Sequence, residues 1–304
     1  MEIVLDVDHY GGLIKQFTGN RNNITNCYLV PAGIHRYTHN RQMYWEKLQN
    51  GIIFLCEESD FYYLYYYLND TKIVLPQTWG KNFNKPVIID LVYQEPGAPQ
   101  NLLEIEDQLI LCGFQRYKRY QRMALDLTKK EKLFVKTAPE KGNRYVVRLP
   151  QQSDCDAIQL IWRDNLDIYS TPMPGREDLC ELINAEQVIC GYEKSGKLIA
   201  ALHIGVRGNV GSIERIAVME GYRRYGLAQE LVNHAFSLNS QLKRYFLWVD
   251  ENNLPAIRFY LKNGFAFDGK RNTQLIMKPA KNRSQTTMKA RTLNGKTASN
   301  TLKY

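Results

Sequence analysis

One short segment of the chain has the composition of a turn that binds an anion. Residues 223–228 are RRYGLA, an R-x-x-G-x-A pattern between a predicted strand and a predicted helix. Several backbone N–H groups and the positive end of the helix dipole would face one point there. Gly226 lets the backbone approach an anion closely, Ala228 leaves room for it, and Arg223 or Arg224 supplies positive charge. The pattern predicts a cradle for a pyrophosphate group.

A second pattern follows, in which Asn253, Ala256, Tyr260, Gly264 and Phe265 are spaced as N-x-x-A-x-x-x-Y-x-x-x-G-F. This spacing predicts a helix with Asn253 at its N-terminus, because asparagine is a preferred N-cap residue. A strand is expected to begin at the Gly-Phe step.

In this order, the two patterns resemble those of the GNAT acetyltransferase superfamily, and residues 145–278 resemble one complete domain of it. The first pattern matches the superfamily's acetyl-CoA pyrophosphate loop. The second matches the strand–helix–strand unit that follows. The resemblance implies an α/β fold of the α+β type, in which helices flank a mixed, mostly antiparallel sheet. It also implies an N-acetyltransferase in which an amine attacks the thioester of acetyl-CoA directly, without an acyl-enzyme.

The resemblance assigns roles residue by residue. Three strand residues would pair through their backbone with the pantetheine arm: Ile216, Ala217 and Val218. The turn and the start of the helix would hold the pyrophosphate: Arg223, Arg224, Tyr225, Gly226, Leu227 and Ala228. Asn253 would lie near the pantetheine, and Tyr260 near the cofactor sulfur.

Tyr260 and Asn253 each have a second interpretation. A phenol with a pKa of about 10 can protonate a departing thiolate, whose conjugate thiol has a pKa of about 8–9, so Tyr260 is a candidate general acid. It also lies four residues after Ala256 on the apolar helix face, where it would be a core tyrosine. Asn253 could cap the helix, contact the cofactor, or do both.

Three residues are candidates for the base that removes the amine proton. Glu214 is predicted to share a strand face with Ile216 and Val218, because side chains alternate along a strand. A surface or salt-bridge role is the other interpretation of Glu214. His203 and His234 are rival bases, but no spacing supports either of them.

The second half of the chain alternates strands and helices, which predicts a mixed sheet. The predicted strands are 145–149, 188–192, 198–206, 212–219 and 245–249, with a closing hairpin over 265–278. The predicted helices are 154–165, 176–184, 227–238 and 254–262. The loop over 168–178 is expected to shape the acceptor site. Because Arg176, Glu177 and Asp178 carry both signs of charge, the acceptor's charge stays open.

The first half resembles an eroded copy of the second. Strands are predicted at 61–67, 71–76 and 87–93, and a helix at 102–112 is followed by Gly113-Phe114. A Q-x-x-G turn occupies 77–82, but Asn82 stands where a small residue is expected, and no room remains for the long helix. The chain is therefore similar to a tandem GNAT protein whose first half does not use acetyl-CoA. An unrelated small α/β domain is the alternative.

Composition bounds the class of protein. The 304 residues are 44% hydrophobic and 23% charged, which is ordinary for a soluble globular protein and excludes a fibre or wholesale disorder. No apolar stretch approaches the roughly 18 residues of a membrane span. The first residues carry no basic segment typical of a signal peptide, so a cytoplasmic location is expected. The six cysteines are scattered, which favours reduced thiols over a metal site or disulfides.

The net charge of +9 is concentrated at the C-terminus, since residues 281–304 carry six basic and no acidic residues. This tail is predicted to be disordered, and a solvated tail is favoured over an RNA contact. A lysine-rich segment at 128–143 suggests a boundary near 140, which gives domains 1–140 and 141–280 followed by the tail. The expected partner is a small-molecule or peptide amine, and the oligomeric state stays open. A non-catalytic acyl-CoA-binding or regulatory module is the alternative to an enzyme, and an RNA-associated protein is a second alternative.

Overall fold

A computed structural model describes residues 1–18, 23–75, 79, 83–129 and 145–279. The first half forms these elements: β1 (Glu2–Ile3), α1 (Val7–Thr18), β2 (Ile24–Thr25), α2 (Pro31–His39), β3 (Met43–Lys47), β4 (Gly51–Glu57), β5 (Tyr62–Leu68), β6 (Val87–Gln94), α3 (Gln100–Leu111) and β7 (Gln115–Asp126). The second half forms these: β8 (Tyr145–Arg148), α4 (Cys155–Asn165), α5 (Arg176–Asn184), β9 (Val188–Glu193), β10 (Leu198–Arg207), β11 (Val210–Val218), α6 (Leu227–Leu238), β12 (Arg244–Asp250), α7 (Leu254–Lys262) and β13 (Ala266–Met277).

All the described strands belong to one mixed sheet. Their order is β1-β3-β4-β5-β6-β13-β7-β12-β11-β10-β9-β8, with β2 paired to β5 beside this path. Two pairs are parallel, β5 with β6 and β11 with β12, and the others are antiparallel. The predicted fold class, a mostly antiparallel mixed sheet flanked by helices, is confirmed.

The two halves exchange their last strands. Strand β7 of the first half pairs with β12 of the second over seven residue pairs, from Arg244↔Asp126 to Asp250↔Tyr120. Strand β13 of the second half pairs with β6 of the first, from Lys270↔Gln94 to Met277↔Val87. Strands β7 and β13 also pair with each other at the centre. The halves therefore share a continuous backbone hydrogen-bond network.

The halves repeat the same order of elements around that centre. Each has an antiparallel run that ends in a parallel pair, β3 to β6 in the first half and β9 to β12 in the second. In each, the next helix ends at a glycine with positive φ, 104° at Gly113 and 80° at Gly264. A buried phenylalanine, Phe114 or Phe265, then leads into the exchanged strand. Of the order predicted for the eroded copy, the strand at 87–93, the following helix and the Gly-Phe step are thus present, whereas the strand predicted at 71–76 is not formed by residues 71–75.

Each half packs helices on both faces of the sheet, because strand residues alternate between the faces. In the second half, α6 and α7 cover one face, where Leu231 and Tyr260 belong to the same core cluster. Helices α4 and α5 cover the other face with Trp162 and Leu179. In the first half, α3 covers one face, and α1 and α2 cover the opposite one.

Two predicted elements differ from the structure. The segment predicted as a hairpin, 265–278, forms one long strand over Ala266–Met277, because β13 lies between β6 and β7 and both of its edges are paired. The feature expected as a hairpin turn is a bulge at Gly269, with φ of 80°. Residues 71–75, expected to begin a strand, form none, although Ile73 and Leu75 are buried and Val74 is 65% exposed. Residues 73–75 therefore alternate between buried and exposed as a strand would, but they pair with no other strand among the described residues.

Several elements of the first half were not predicted, namely α1, α2, β3, β4 and β7. Residues 130–144 and 280–304 lie outside the described residues, and so does the Q-x-x-G turn apart from Trp79. The domain boundary near 140 therefore stays a prediction. No helix in the described part of the chain is both long and apolar enough to cross a membrane.

Candidate active site

Strands β11 and β12 diverge after four residue pairs and leave a cleft between them. Their parallel register runs from Val210↔Arg244 to Ile213↔Leu247. Beyond Ile213, this edge of β11 has no strand partner among the described residues. The cleft has a volume of about 290 Å³, and Ile216, Asn253 and Tyr260 are among the residues that line it. An open strand edge beside a cleft can pair with an extended ligand as with another strand.

The predicted anion-binding turn follows β11 and contains two left-handed backbone conformations. The φ angle is 69° at Arg224 and 82° at Gly226, which is the N-cap of α6. Glycine adopts this conformation without the steric cost borne by other residues. The first amides of α6 have no acceptor inside the helix, so the turn presents donors and a positive dipole end to an anion. The exposed Arg224 side chain makes no ion pair or hydrogen bond with the described residues.

Two side chains hold this turn in place. Arg223 donates from Nε to the carbonyl oxygen of Val218 at 2.9 Å and from Nη2 to Oδ1 of Asn165 at 2.8 Å. The Tyr145 hydroxyl donates to the carbonyl oxygen of Tyr225 at 2.7 Å. Arg223 therefore closes the turn, and Arg224 is the better placed of the two arginines to meet a ligand.

Close packing fixes the start of α6 on the sheet. The Leu227 side chain is 1% exposed and lies over β9. A Cβ atom at Gly191 of β9 would come within 2.8 Å of Leu227 Cδ1, so glycine is needed for this approach. The half-buried Ala228 follows in the first helical turn. The amide array at the helix start is thereby held rigidly next to the end of β11.

The three strand residues predicted to pair with pantetheine lie on different faces of the sheet. Ile216 lines the cleft, and both it and Val218 pack against the core beneath α6. Ala217 is 4% exposed and is buried on the opposite face with α4 and α5. What the three residues have in common is that their backbone groups lie along the open edge of β11.

Glu214 lies at a β-bulge in β11. His203 of β10 pairs with Arg215, and the next residue, Ile204, pairs with Ile213. Glu214 is therefore the extra residue on β11, without an opposite partner on β10.

The bulge changes the face to which Glu214 belongs. Ile213 and Ile216 are three positions apart, yet both belong to the core region beneath α6, so the alternation shifts between them. The Glu214 carboxylate accepts a hydrogen bond from Ser212 Oγ, and Ser212 lies on the sheet face opposite to Ile213 and Ile216. The prediction that Glu214 shares a face with Ile216 and Val218 is therefore wrong. The carboxylate nevertheless lines the cleft.

Tyr260 belongs to the core and also lines the cleft. Its ring packs edge-on against Phe265 at a centroid distance of 5.6 Å, and the residue is 5% exposed. Burial raises the pKa of the Tyr260 phenol, which keeps it protonated at neutral pH. Asn253 caps α7, since its Oδ1 accepts from the Ala256 amide at 3.2 Å, and it also lines the cleft. Both predicted roles of Asn253 are compatible with this geometry.

Neither rival histidine lines the cleft. Burial, with the positive charge of Arg215, lowers the pKa of His203 to about 3. His203 Nδ1 lies 2.7 Å from Arg215 Nη1 and accepts its hydrogen bond. Burial also lowers the pKa of the half-buried His234, which lies on α6.

Strand exchange brings first-half residues into the cleft, and sequence reasoning missed them. Lys118 and Tyr120 of β7 line it. Lys118 Nζ lies 3.6 Å from Asp250 Oδ2 and also pairs with Asp167. The Tyr120 hydroxyl contacts Ser170 Oγ. Only the pairing of β7 with β12 places these side chains here, and no local signal marks them.

A second, larger cavity adjoins the cleft. Its volume is about 500 Å³, and it shares Glu214, Tyr120, Ser170 and Trp248 with the cleft. Its other walls come from β5, β6, β10, β12, β13 and the segment that follows β2. Residues 170–172 of the loop predicted to shape an acceptor site line this cavity. The charged residues at 176–178 do not line it.

The matching opening in the first half is filled by the chain itself. Strands β5 and β6 pair only at Tyr62↔Val87 and Tyr63↔Ile88 before they diverge. Strand β2 then pairs with β5. The Asn26 side chain continues this pairing, donating to the Leu64 carbonyl oxygen at 3.0 Å and accepting from the Tyr66 amide at 2.8 Å. Between β5 and β6, the described residues contain no counterpart of α6.

The sequence of the second half matches a known family. Residues 156–265, from α4 to the residue before β13, match the sequence model described as "Acetyltransferase (GNAT) family". The match includes the divergent strands, the left-handed turn and the helix that carries Tyr260. Residues 156–265 therefore match a GNAT domain. No curated protein matches the chain.

Solved structures of that fold resemble most of the chain. A GCN5-related N-acetyltransferase from Sphaerobacter thermophilus has 14% identity and a TM-score of 0.53, covering 86% of this chain and 98% of its own. A tandem GNAT protein from the clavulanic acid biosynthesis pathway has 10% identity and a TM-score of 0.52, and the match covers 79% of this chain and 84% of that protein. A GCN5-related N-acetyltransferase from Kribbella flavida has 14% identity and a TM-score of 0.50, covering 81% and 93%. The similarity extends over both halves and establishes the fold.

Proposed function

We propose that the protein transfers an acetyl group from acetyl-CoA to an amine by direct attack of the amine on the thioester. The observation that carries this proposal is the left-handed turn at Gly226, which places the N-terminus of α6 beside the open edge of β11. The N-terminus of α6 suits a pyrophosphate, and the open edge of β11 suits the amide-bearing pantetheine arm. Because the two elements are adjacent, they could bind both parts of one acetyl-CoA molecule.

The chain's residues would bind the cofactor mainly through the backbone. The amides of residues 224–228 would hold the pyrophosphate, and Arg224 would add charge. The backbone edge at 216–218 would hold the pantetheine arm. Asn253 would contact that arm from the start of α7.

Two side chains at the cleft would move protons. When bound, acetyl-CoA would supply an activated acetyl thioester. Glu214, which lines both the cleft and the larger cavity, would take the proton from the attacking nitrogen, directly or through water. Tyr260, whose raised pKa keeps it protonated, would donate a proton to the departing sulfur.

The test of this function is an acceptor screen on the full chain. Small amines, amino acids, polyamines, aminoglycosides and peptides are each mixed with acetyl-CoA, and free thiol release is measured. We expect release that depends on the acceptor and on the enzyme, with the acetylated amine identified by mass spectrometry. Acetyl-CoA binding without release for any acceptor would contradict transfer and support a non-catalytic binding module.

We expect one acetyl-CoA site per chain. The second half presents an open strand edge and a left-handed turn, whereas β2 and Asn26 fill the equivalent place in the first half. Titration calorimetry on the full chain should therefore report a stoichiometry near one. The full chain is required because β7 supplies the second half's sheet and cleft. A stoichiometry of two would show that the first half also binds the cofactor.

A further inference from the structure

The larger cavity has walls from both halves of the chain. Asp90 of β6 and Asn272 of β13 lie on one side, and Glu214 of β11 lies on the other. Strand exchange creates this arrangement, because β13 occupies the position next to β6. A ligand in the cavity would therefore reach from first-half residues to the predicted base.

Asp90 is a carboxylate without a cationic partner among the described residues. Its Oδ1 accepts from Asn272 Nδ2 at 2.9 Å and from Gln274 Nε2 at 3.1 Å. Burial raises the pKa of Asp90, and the hydrogen bonds from Asn272 and Gln274, together with one from Tyr63, oppose that effect by stabilising the ionised form. A carboxylate held in a cavity without a counter-ion is costly, and a cationic ligand would relieve that cost.

The remaining hydrogen-bonding capacity beside Asp90 consists of acceptors. Asn272, which lines the cavity, directs an N–H donor to Asp90, and its side-chain oxygen is buried without a donor in the described structure. Gln274, which does not line the cavity, donates to Asp90 and to the Tyr169 carbonyl oxygen, and its own side-chain oxygen is likewise without a donor in the described residues. An ammonium group has three donors and no acceptor, so it complements such a cluster. A carboxylate or phosphate needs hydrogen-bond donors, whereas this cluster offers acceptors.

Aromatic rings line the wall next to this cluster. Tyr63 and Tyr65 both line the cavity, with ring centroids 5.8 Å apart. The faces of such rings attract cations, and the effect is larger where water is excluded. Trp248 and Phe246 on β12 extend the aromatic lining toward the cleft.

The cations of the cavity lie away from Asp90. Lys270 pairs with Gln94, four residues along β6 from Asp90, which is about 13 Å at the usual strand rise. Arg207 is an exposed residue at the end of β10. The carboxylate end and the cationic side are thus separated within the cavity.

We propose that the acetyl acceptor is a small diamine or polyamine, whose far ammonium binds against Asp90, Asn272 and the Tyr63–Tyr65 wall while its near amine is acetylated beside Glu214. This inference rests on the proposed function and specifies its substrate class. In the transfer, the near nitrogen bonds to the acetyl carbon and the carbon–sulfur bond breaks. Glu214 takes the proton from nitrogen, and Tyr260 gives one to sulfur. The far ammonium is unchanged.

The experiment compares matched acceptors on the full chain. The probes are 1,4-diaminobutane, 1-aminopentane, which replaces the far ammonium with a methyl group, and 4-aminobutyrate, in which a carboxylate takes the place of the far aminomethyl group. Binding is measured by calorimetry and transfer by thiol release. We expect the diamine to exceed aminopentane by about 10- to 100-fold in affinity and in kcat/KM, the range of a charge-assisted hydrogen bond.

Asp90→Asn should remove most of this preference, so that the diamine and aminopentane values approach each other. Tyr65→Leu keeps the carboxylate and should lower the diamine preference several-fold by removing a ring. Asp107→Asn, at an exposed position on α3, is the matched control and should change nothing. Thermal melts and acetyl-CoA affinity verify that each variant folds.

The outcomes separate this inference from the proposed function. A diamine preference in binding that Asp90→Asn removes, without transfer to any amine, would support the cavity assignment and contradict the acetyltransferase. Transfer to monoamines or to 4-aminobutyrate at rates equal to the diamine would support the enzyme and overturn the diamine assignment. A preference that survives in Asp90→Asn would also overturn it.

Discussion

Gly226→Glu is expected to abolish acetyl-CoA binding while the protein stays folded. The new carboxylate would lie at the N-cap of α6, where the cofactor pyrophosphate is expected. Two like charges 4 Å apart repel by about 4 kcal/mol at an effective dielectric constant of 20, which corresponds to roughly 1,000-fold in affinity. Solvent screening at this exposed turn reduces that figure, so we expect a loss of at least about 100-fold. Calorimetry with acetyl-CoA measures it.

Two further variants isolate the charge effect from backbone strain. Gly226→Ala carries the left-handed strain of about 1–2 kcal/mol without the carboxylate. Gly196→Glu makes the same change at another glycine with positive φ, 89°, in the β9–β10 hairpin, and should keep full affinity. Wild-type affinity in Gly226→Glu, with an unchanged circular dichroism spectrum, would place the pyrophosphate site elsewhere.

Tyr260→Phe is expected to lower kcat by about 10²- to 10⁴-fold, the usual contribution of a positioned acid or base. The ring and its contact with Phe265 remain, so stability should change little. Acetyl-CoA affinity should also change little, because the hydroxyl acts on charge that develops at sulfur in the transition state. Steady-state kinetics with an acceptor found in the screen, together with a thermal melt, measure these effects.

Tyr245→Phe is the matched control for this prediction. Tyr245 is 1% exposed and belongs to the same core cluster as Tyr260, but it does not line the cleft. Its hydroxyl donates to the Asn239 carbonyl oxygen at 3.3 Å, so its loss should lower stability by about 1 kcal/mol with kcat unchanged. A kcat within about threefold of wild type in Tyr260→Phe would reject the general-acid role.

The sequence alone predicted the local parts of the second half. Helices 227–238 and 254–262 begin and end at the predicted residues. Gly226 takes a left-handed conformation at a strand-to-helix turn, and Asn253 caps the next helix, as their residue types favour. These features depend on residues a few positions apart, whose capping and backbone preferences act within one turn of chain.

Tertiary structure determined on which face of the sheet the Glu214 side chain lies. Period-two alternation predicted the wrong face, because a bulge is set by the register between β10 and β11, which the sequence of β11 does not contain. The same limit applies at residues 71–75, where a strand was predicted and burial does alternate, but the described residues supply no partner strand. Alternating hydrophobic residues indicate which side chains face a core. A β-strand also needs a neighbouring strand edge with which to form backbone hydrogen bonds.

Tertiary structure also decided which residues the two halves contribute to the site. Lys118 and Tyr120 reach the cleft through the pairing of β7 with β12, and Asp90 meets Glu214 across one cavity through the exchange of β13. These pairings join strands more than 100 residues apart, and their backbone hydrogen bonds can be made with any non-proline residue. The sequence therefore determined the left-handed turn at Gly226 and a capped helix, whereas the choice of partner strand, which depends on the packing of the whole chain, determined the larger cavity.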